Sequence, residues 1–231
     1  MKFFTKLKSY FNKYDVCLFL ISFTILTSVF IVFDRTNYFT LIMSILSVAM
    51  LILIAKGNVI GEIFSVLFCT FYAIISHKNR YYGELITYLF MTMPMAILAI
   101  FSWLKNPYKD KKLQVKVNKI TVKEVGFLLL LTVVVTWIFY FILKYFNTPN
   151  LLFSTLSIST SFLAVYLTFR RSEFYALAYA LNDIILIVLW SLATINDISN
   201  VLLIACFVVF FINDLYGFIS WSNMKKSQSK E

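Results

Sequence analysis

The sequence predicts an all-α integral membrane protein with eight transmembrane helices. Three observations carry that expectation. The 231 residues are 61% apolar and 14% charged, with a mean hydropathy of +0.83, whereas an ordinary soluble domain is about 25% charged. Eight apolar windows of 18 or more residues recur along the whole chain, each long enough at about 1.5 Å per residue to cross a hydrocarbon layer of about 30 Å. The cations gather between the windows rather than inside them. Disordered, nucleic-acid-binding and disulfide-scaffold classes are excluded by the same figures.

The first window, 16–33, follows a tail holding Lys2, Lys6, Lys8 and Lys13 and ends at Asp34-Arg35 without a small-residue cleavage site, so it reads as a retained helix rather than a signal peptide. Windows 38–55, 59–76 and 84–104 follow, separated by Lys56-Gly57-Asn58 and by His77-Lys78-Asn79-Arg80. A basic stretch over 105–124 precedes the window 125–146, and the last three windows span 151–169, 174–193 and 199–221. Backbone polar groups in lipid must be paired within the segment, which selects helices. With both termini cytoplasmic, 17 of the 21 Lys and Arg fall inside and 4 outside. That asymmetry favours eight spans, since one helix more or fewer would put a basic tail on the wrong side. The net charge of +10 is therefore read as topology and as attraction to anionic lipid, with no nucleic-acid partner.

A shift of 118 residues superimposes Tyr72 on Trp190, Leu85 on Leu203, Ala99 on Gly217 and Ser102-Trp103 on Ser220-Trp221. The chain therefore divides into a basic tail with an extra helix (1–37), a first three-helix repeat (38–104), a basic cytoplasmic loop with a linker helix (105–150) and a second three-helix repeat with a basic tail (151–231). An odd linker helix lets both triplets enter the membrane in the same sense, as parallel repeats. In transporters built this way the substrate lies between the repeats near the midplane.

Polar groups inside these windows should turn inward, because facing lipid costs a few kcal/mol each. In the third helix Asn58, Glu62, Ser65, Cys69, Tyr72 and Ser76 stack on one face at helical spacing. Tyr88 and Thr92 precede Pro94 in the fourth. The seventh carries Tyr175, Tyr179, Asn182, Asp183 and Trp190, and the eighth carries Asn200, Asn213, Asp214 and Tyr216. The candidate substrate-binding residues are Asn58, Glu62, Tyr72, Tyr88, Tyr175, Tyr179, Asn182, Asp183, Trp190, Asn213 and Asp214. Aromatic faces with carboxamide and carboxylate edges suit a flat, polar-edged solute such as a nucleoside or vitamin. The small residues Thr40, Ser44, Ser47, Ser154, Ser157 and Ser161 read as packing positions, Glu62 is equally explained as a complement to the helix dipole, and Cys17, Cys69 and Cys206 read as small hydrophobes. A lone His77 and the absence of a phosphate-binding glycine loop argue against a metal, a cofactor or an enzyme.

From Arg170-Arg171-Ser172-Glu173 through Tyr175 and Asn182 to Gly217-Phe218-Ile219-Ser220-Trp221-Ser222-Asn223-Met224-Lys225-Lys226, the sequence resembles the PnuC-type vitamin transporters. Gly57-Asn58, Gly61, Tyr72 and Phe101-Ser102-Trp103-Leu104-Lys105-Asn106 look like the first half of the same family. The resemblance implies a SWEET-like 3+1+3 bundle in the plasma membrane, facilitated diffusion of nicotinamide riboside, and trapping by a cytoplasmic kinase. Where many relatives have Trp-x-x-Trp after the Glu, this chain has Tyr175 and Ala178. That leaves thiamine, riboflavin and deoxynucleosides open as solutes, and leaves proton coupling through Asp183 or Asp214 open. An intramembrane aspartyl protease using those two residues, a non-transporting scaffold, and assembly as a homo-oligomer are the other expectations to test.

Overall fold

The structure, a computed structural model, describes residues 10–33, 35–109, 111–195 and 197–230, with backbone alone for 111–113. Lys2, Lys6, Lys8 and Asp34 lie outside the described residues. Eight helices among those described are long and apolar enough to cross a membrane: α1 Lys13–Phe33, α2 Tyr38–Ala55, α3 Val59–Lys78, α4 Tyr82–Lys105, α5 Val122–Tyr145, α6 Leu151–Phe169, α7 Tyr175–Thr194 and α8 Val201–Lys230, the last entered through a 3-10 turn at Ile198–Asn200.

Local sequence sets the boundaries. The Asn37 side chain accepts from the Thr40 amide to start α2, Asn58 accepts from Ile60 to start α3, and Thr121 accepts from Glu124 to start α5. The α2–α3 turn is closed by Gly57 at φ +65°, with its amide bonded to Ile54 O. α4 is not a uniform helix. Pro94 lacks an amide hydrogen, and a π-helical turn over Tyr88–Thr92, in which Met93 N–H donates to Tyr88 O, absorbs the interruption.

Two features depart from the predicted windows. α8 continues past Trp221 to Lys230, and the 105–124 stretch contains an antiparallel hairpin of β1 (Pro107–Tyr108) and β2 (Lys111–Val115). The hairpin docks on the α2–α3 turn, with Val115 N–H donating to Gly57 O at 2.9 Å and Asn58 bridged to Gln114.

The helices pack as a closed ring in the order α2, α3, α4, α6, α7, α8 and back to α2. α1 lies outside it against α2 and α8, and α5 lies outside it against α6 and the start of α4. Because eight spans alternate in direction, the described ends of the chain, Tyr10 and Lys230, share one end of the bundle with Lys56, Arg170 and Arg171. This is called the basic end below.

The two halves of the ring are cross-tied there. Trp103 Nε1 donates to Thr168 O (3.0 Å) and Ser102 Oγ to Phe169 O (2.9 Å), while Trp221 Nε1 donates to Ile54 O (2.8 Å) and Ser220 Oγ to Ala55 O (2.7 Å). The serines thus reach last-turn carbonyls that the helix leaves open, at Phe169 and Ala55, while the indoles add a second bond to Thr168 O and Ile54 O, which already accept from the Arg171 and Gly57 amides. Trp103 and Trp221 touch each other, with ring centroids 5.4 Å apart.

Candidate functional site

An internal cavity lies in the middle of the ring. Its wall combines Met50, Leu51 and Ile54 of α2, Ser65 and Phe68 of α3, and Tyr88 and Thr92 of α4 with Tyr175, Tyr179, Asn182 and Asp183 of α7 and Phe207, Phe210 and Asp214 of α8. The enclosed space is about 40 Å³, which holds water molecules. Sites for drug-sized ligands run to about 300–1,000 Å³. A solute of nucleoside size therefore enters only when the helices part.

The π-helical turn matters here. It sets Tyr88 and Thr92 toward the cavity, both nearly inaccessible to solvent. Tyr88 packs on Tyr72 with centroids 4.3 Å apart and edge-on to Phe68 at 5.9 Å. On the opposite wall Tyr175 lies edge-on to Trp221 at 4.9 Å and to Tyr179 at 6.2 Å. Gly217 makes room for it, since a Cβ there would sit 3.2 Å from the Tyr175 hydroxyl.

Asn182 is the best-oriented polar group. Its Oδ1 accepts from Thr160 Oγ1 (2.9 Å) and Ser161 Oγ (3.0 Å) of α6, which fixes the amide plane and leaves the NH₂ as the donor for the cavity. Asp183 of α7 and Asp214 of α8 both line the cavity from neighbouring helices, and Asp183 Oδ2 is buried with no hydrogen-bond partner among the described residues.

Six of the eleven sequence candidates thus line one cavity: Tyr88, Tyr175, Tyr179, Asn182, Asp183 and Asp214. Tyr72 and Trp190 lie beside it and bond to each other, Trp190 Nε1 donating to Tyr72 Oη at 2.7 Å. Glu62 is buried on α3 outside the set of lining residues, and its Oε1 has no hydrogen-bond partner among the described residues. Asn58 and Asn213 do other work. Asn58 caps α3 at the basic end and donates to Tyr10 Oη (2.8 Å), while Asn213 donates to Ser22 of α1 (3.3 Å).

Glu84 is, with Asp15, a buried carboxyl that sequence reasoning passed over. It is 1% exposed, accepts from Ser157 Oγ of α6 at 2.9 Å, and has Oε2 unpartnered. It stood at the edge of an apolar window and so read as a boundary. Ser157 and Ser161 likewise prove to be hydrogen-bond partners of Glu84 and Asn182 rather than packing residues alone.

A ring of membrane helices around a central cavity with a rigidly held carboxamide defines the chain as a multi-pass membrane protein with the architecture of a solute carrier. The chain belongs to the family described as nicotinamide mononucleotide transporter, whose profile matches residues 37–223, and it is a membrane transporter of that family. It is 23% identical over 215 residues to the nicotinamide riboside transporter PnuC of Neisseria mucosa (strain ATCC 25996 / DSM 4631 / NCTC 10774 / M26), covering 91% of this chain and 81% of that one. It is also 23% identical over 192 residues to the nicotinamide riboside transporter PnuC of Haemophilus influenzae (strain ATCC 51907 / DSM 11121 / KW20 / Rd), covering 82% and 81%. A solved structure described as the crystal structure of the vitamin B3 transporter PnuC superposes with a TM-score of 0.82 at 19% identity, covering 94% of each chain. That likeness establishes the shared fold.

Proposed function

We propose that the chain takes up nicotinamide riboside by facilitated diffusion across the plasma membrane, with both termini cytoplasmic and phosphorylation by a cytoplasmic kinase trapping the product. The observation that carries this reading is the cavity itself. It offers a flat, polar-edged solute the rings of Tyr88, Tyr175 and Tyr179 and the pinned donor of Asn182. Both matched relatives are described as nicotinamide riboside transporters. The 17 to 4 division of cations supports the orientation.

Alternating access in this reading comes from rocking of two parallel three-helix units, α2–α4 and α6–α8, joined by α5 in a SWEET-like 3+1+3 order. Two contacts support it. The 118-residue shift pairs Tyr72 with Trp190 and Trp103 with Trp221, and in both cases the paired residues touch each other. A residue touches its own repeat mate only beside the symmetry axis. Two such points, one on each side of the cavity, draw an axis running along the bundle.

The test is a thermal-shift panel of the purified protein against nicotinamide riboside, thiamine, riboflavin and a deoxynucleoside. A ligand at 100 times its Kd adds about 2.7 kcal/mol to the native state. Nicotinamide riboside should give the largest shift. Asn182→Asp, which keeps the acceptor for Thr160 and Ser161 but removes the donor, should weaken binding at least about tenfold, or about 1.4 kcal/mol. A larger shift with another member of the panel reassigns the solute. A second reading, proton-coupled uptake, is favoured by the two acidic residues, Asp183 and Asp214, that line the cavity. Uptake that collapses with an uncoupler in vesicles lacking the kinase selects it.

A further inference from the structure

α1 and α5 occupy matching places outside the ring: α1 lies on the seam between α2 and α8, and α5 on the seam between α6 and α4. Each carries an acidic residue near its start that pairs with the cation just past the neighbouring ring helix. Asp15 pairs with Lys56 after α2 (2.8 Å), and Glu124 pairs with Arg170 after α6. The ties then diverge. Glu124 reaches only α6, through Arg170 and Tyr166. Asp15 is fully buried and reaches both halves of the ring, since its Oδ1 accepts from Tyr216 Oη of α8 at 2.6 Å while Oδ2 holds Lys56.

The surroundings are built to hold Asp15 in that position. The Asn12 backbone amide donates to Asp15 Oδ2 (2.8 Å), and the Asn12 side chain donates to Tyr216 Oη (3.2 Å). The Lys56 ammonium lies 5.0 Å from the Tyr10 ring centre and 5.8 Å from that of Phe11, within the range of a cation–π contact. The bonded positions are close to the cavity. Lys56 follows the lining residue Ile54 by two positions on α2, and Tyr216 follows Asp214 by two on α8. Two positions turn a helix to its opposite side, so the latch clamps the α2–α8 seam from the outer face that α1 covers, just past the cavity toward the basic end.

We propose that Asp15 is a positioning residue for transport: with Lys56 and Tyr216 it latches α2 to α8, and release of that latch opens the cavity toward the basic end. The helix that lies outside the repeat thus serves as a gate element rather than only an anchor. The 105–121 segment reinforces the same closure, because its backbone bonds Gly57 of one half and Arg171 of the other. The inference rests on the transporter reading above, but its test needs no solute.

The experiment places a single reporter, Ser65→Cys, on the cavity wall of the full chain carrying Cys17→Ser, Cys69→Ala and Cys206→Ala, reconstituted in vesicles of defined orientation. A membrane-impermeant maleimide is then supplied from one side at a time. Asp15→Asn should raise the labelling rate from the basic end at least threefold and leave labelling from the other end unchanged or lower. Tyr216→Phe, which loses only a hydroxyl, should shift labelling the same way by less and carries the test if Asp15→Asn does not fold. Glu124→Gln should change neither rate. Parental rates from the basic end in both latch variants, or an equal rise from both ends, overturn the proposal. If the latch variants behave as expected while the parent takes up no nicotinamide riboside, the substrate assignment falls and the latch stands.

Discussion

The two ends of the six-helix ring are held shut by different chemistry. At the basic end each half sends an indole and a hydroxyl to main-chain carbonyls of the other, at Trp103, Ser102, Trp221 and Ser220, and the Asp15 latch adds an ion pair. At the far end, among the described residues, the halves meet through side-chain hydrogen bonds: Trp190 to Tyr72, Ser157 to Glu84, and Asn150 to Tyr81. Carbonyls fixed in a helix cannot rotate away to water, whereas a phenol or carboxyl can exchange one partner for another. Under the alternating access proposed above, the contrast makes the basic end the more firmly tied of the two in this conformation and predicts that the far end opens at lower cost.

The largest effect tests the internal symmetry of the basic end. Trp221 is fully buried against Trp103 and Tyr175, so Trp221→Ala should cost about 3–5 kcal/mol of stability. Trp103→Ala, its mate under the repeat, should fall in the same range of about 3–5 kcal/mol. Denaturant unfolding in mild detergent measures both. Clearly unequal losses would break the equivalence of the two cross-ties.

Next come the far-end contacts. Ser157→Ala leaves Glu84 buried with no partner and should cost about 1–3 kcal/mol. Trp190→Phe removes the hydrogen bond to Tyr72 Oη and leaves a void where the larger indole packed, and should cost about 1–3 kcal/mol. Both should raise labelling of the Ser65→Cys reporter from the far end and not from the basic end. A rise from the basic end in either variant would erase the distinction between the gates.

How much of this was legible in the sequence depends on what each residue does. The spans were legible because lipid demands long apolar helices and the chain punctuates them with charge; the windows 38–55 and 151–169 coincide with α2 and α6. The last turns of α8 and the hairpin were not, because Lys-, Ser- and Gln-rich segments give no apolar period. Asn182 and Asn58 show the limit within the site. Both are buried carboxamides at the start or middle of an apolar helix, yet one faces the cavity and the other is a cap, and only the fold distinguishes them. Glu84 was hidden by the opposite error, since an acid at a window edge looks solvated. The tie of Asp15 to Tyr216 joins residues 201 positions apart, which no local pattern displays.

The smallest effect sharpens the account of the basic end, where Gly57 joins α2, the hairpin and α8. Its φ of +65° lies in the left-handed region, and a Cβ there would come 3.1 Å from Met224 Cε of α8 and 3.3 Å from Val115 Cγ1 of the hairpin. The backbone penalty for a non-glycine residue is about 1–2 kcal/mol, while the Met224 thioether can swing aside at little further cost. Gly57→Ala should therefore lower stability by about 1 kcal/mol. Because the Cβ pushes the hairpin and α8 away from the α2–α3 turn, the same variant should speed labelling from the basic end slightly, by less than Tyr216→Phe does. A loss of stability without that change in labelling would mean that the turn bears on folding alone, and that the strap over 105–121 takes no part in the gate.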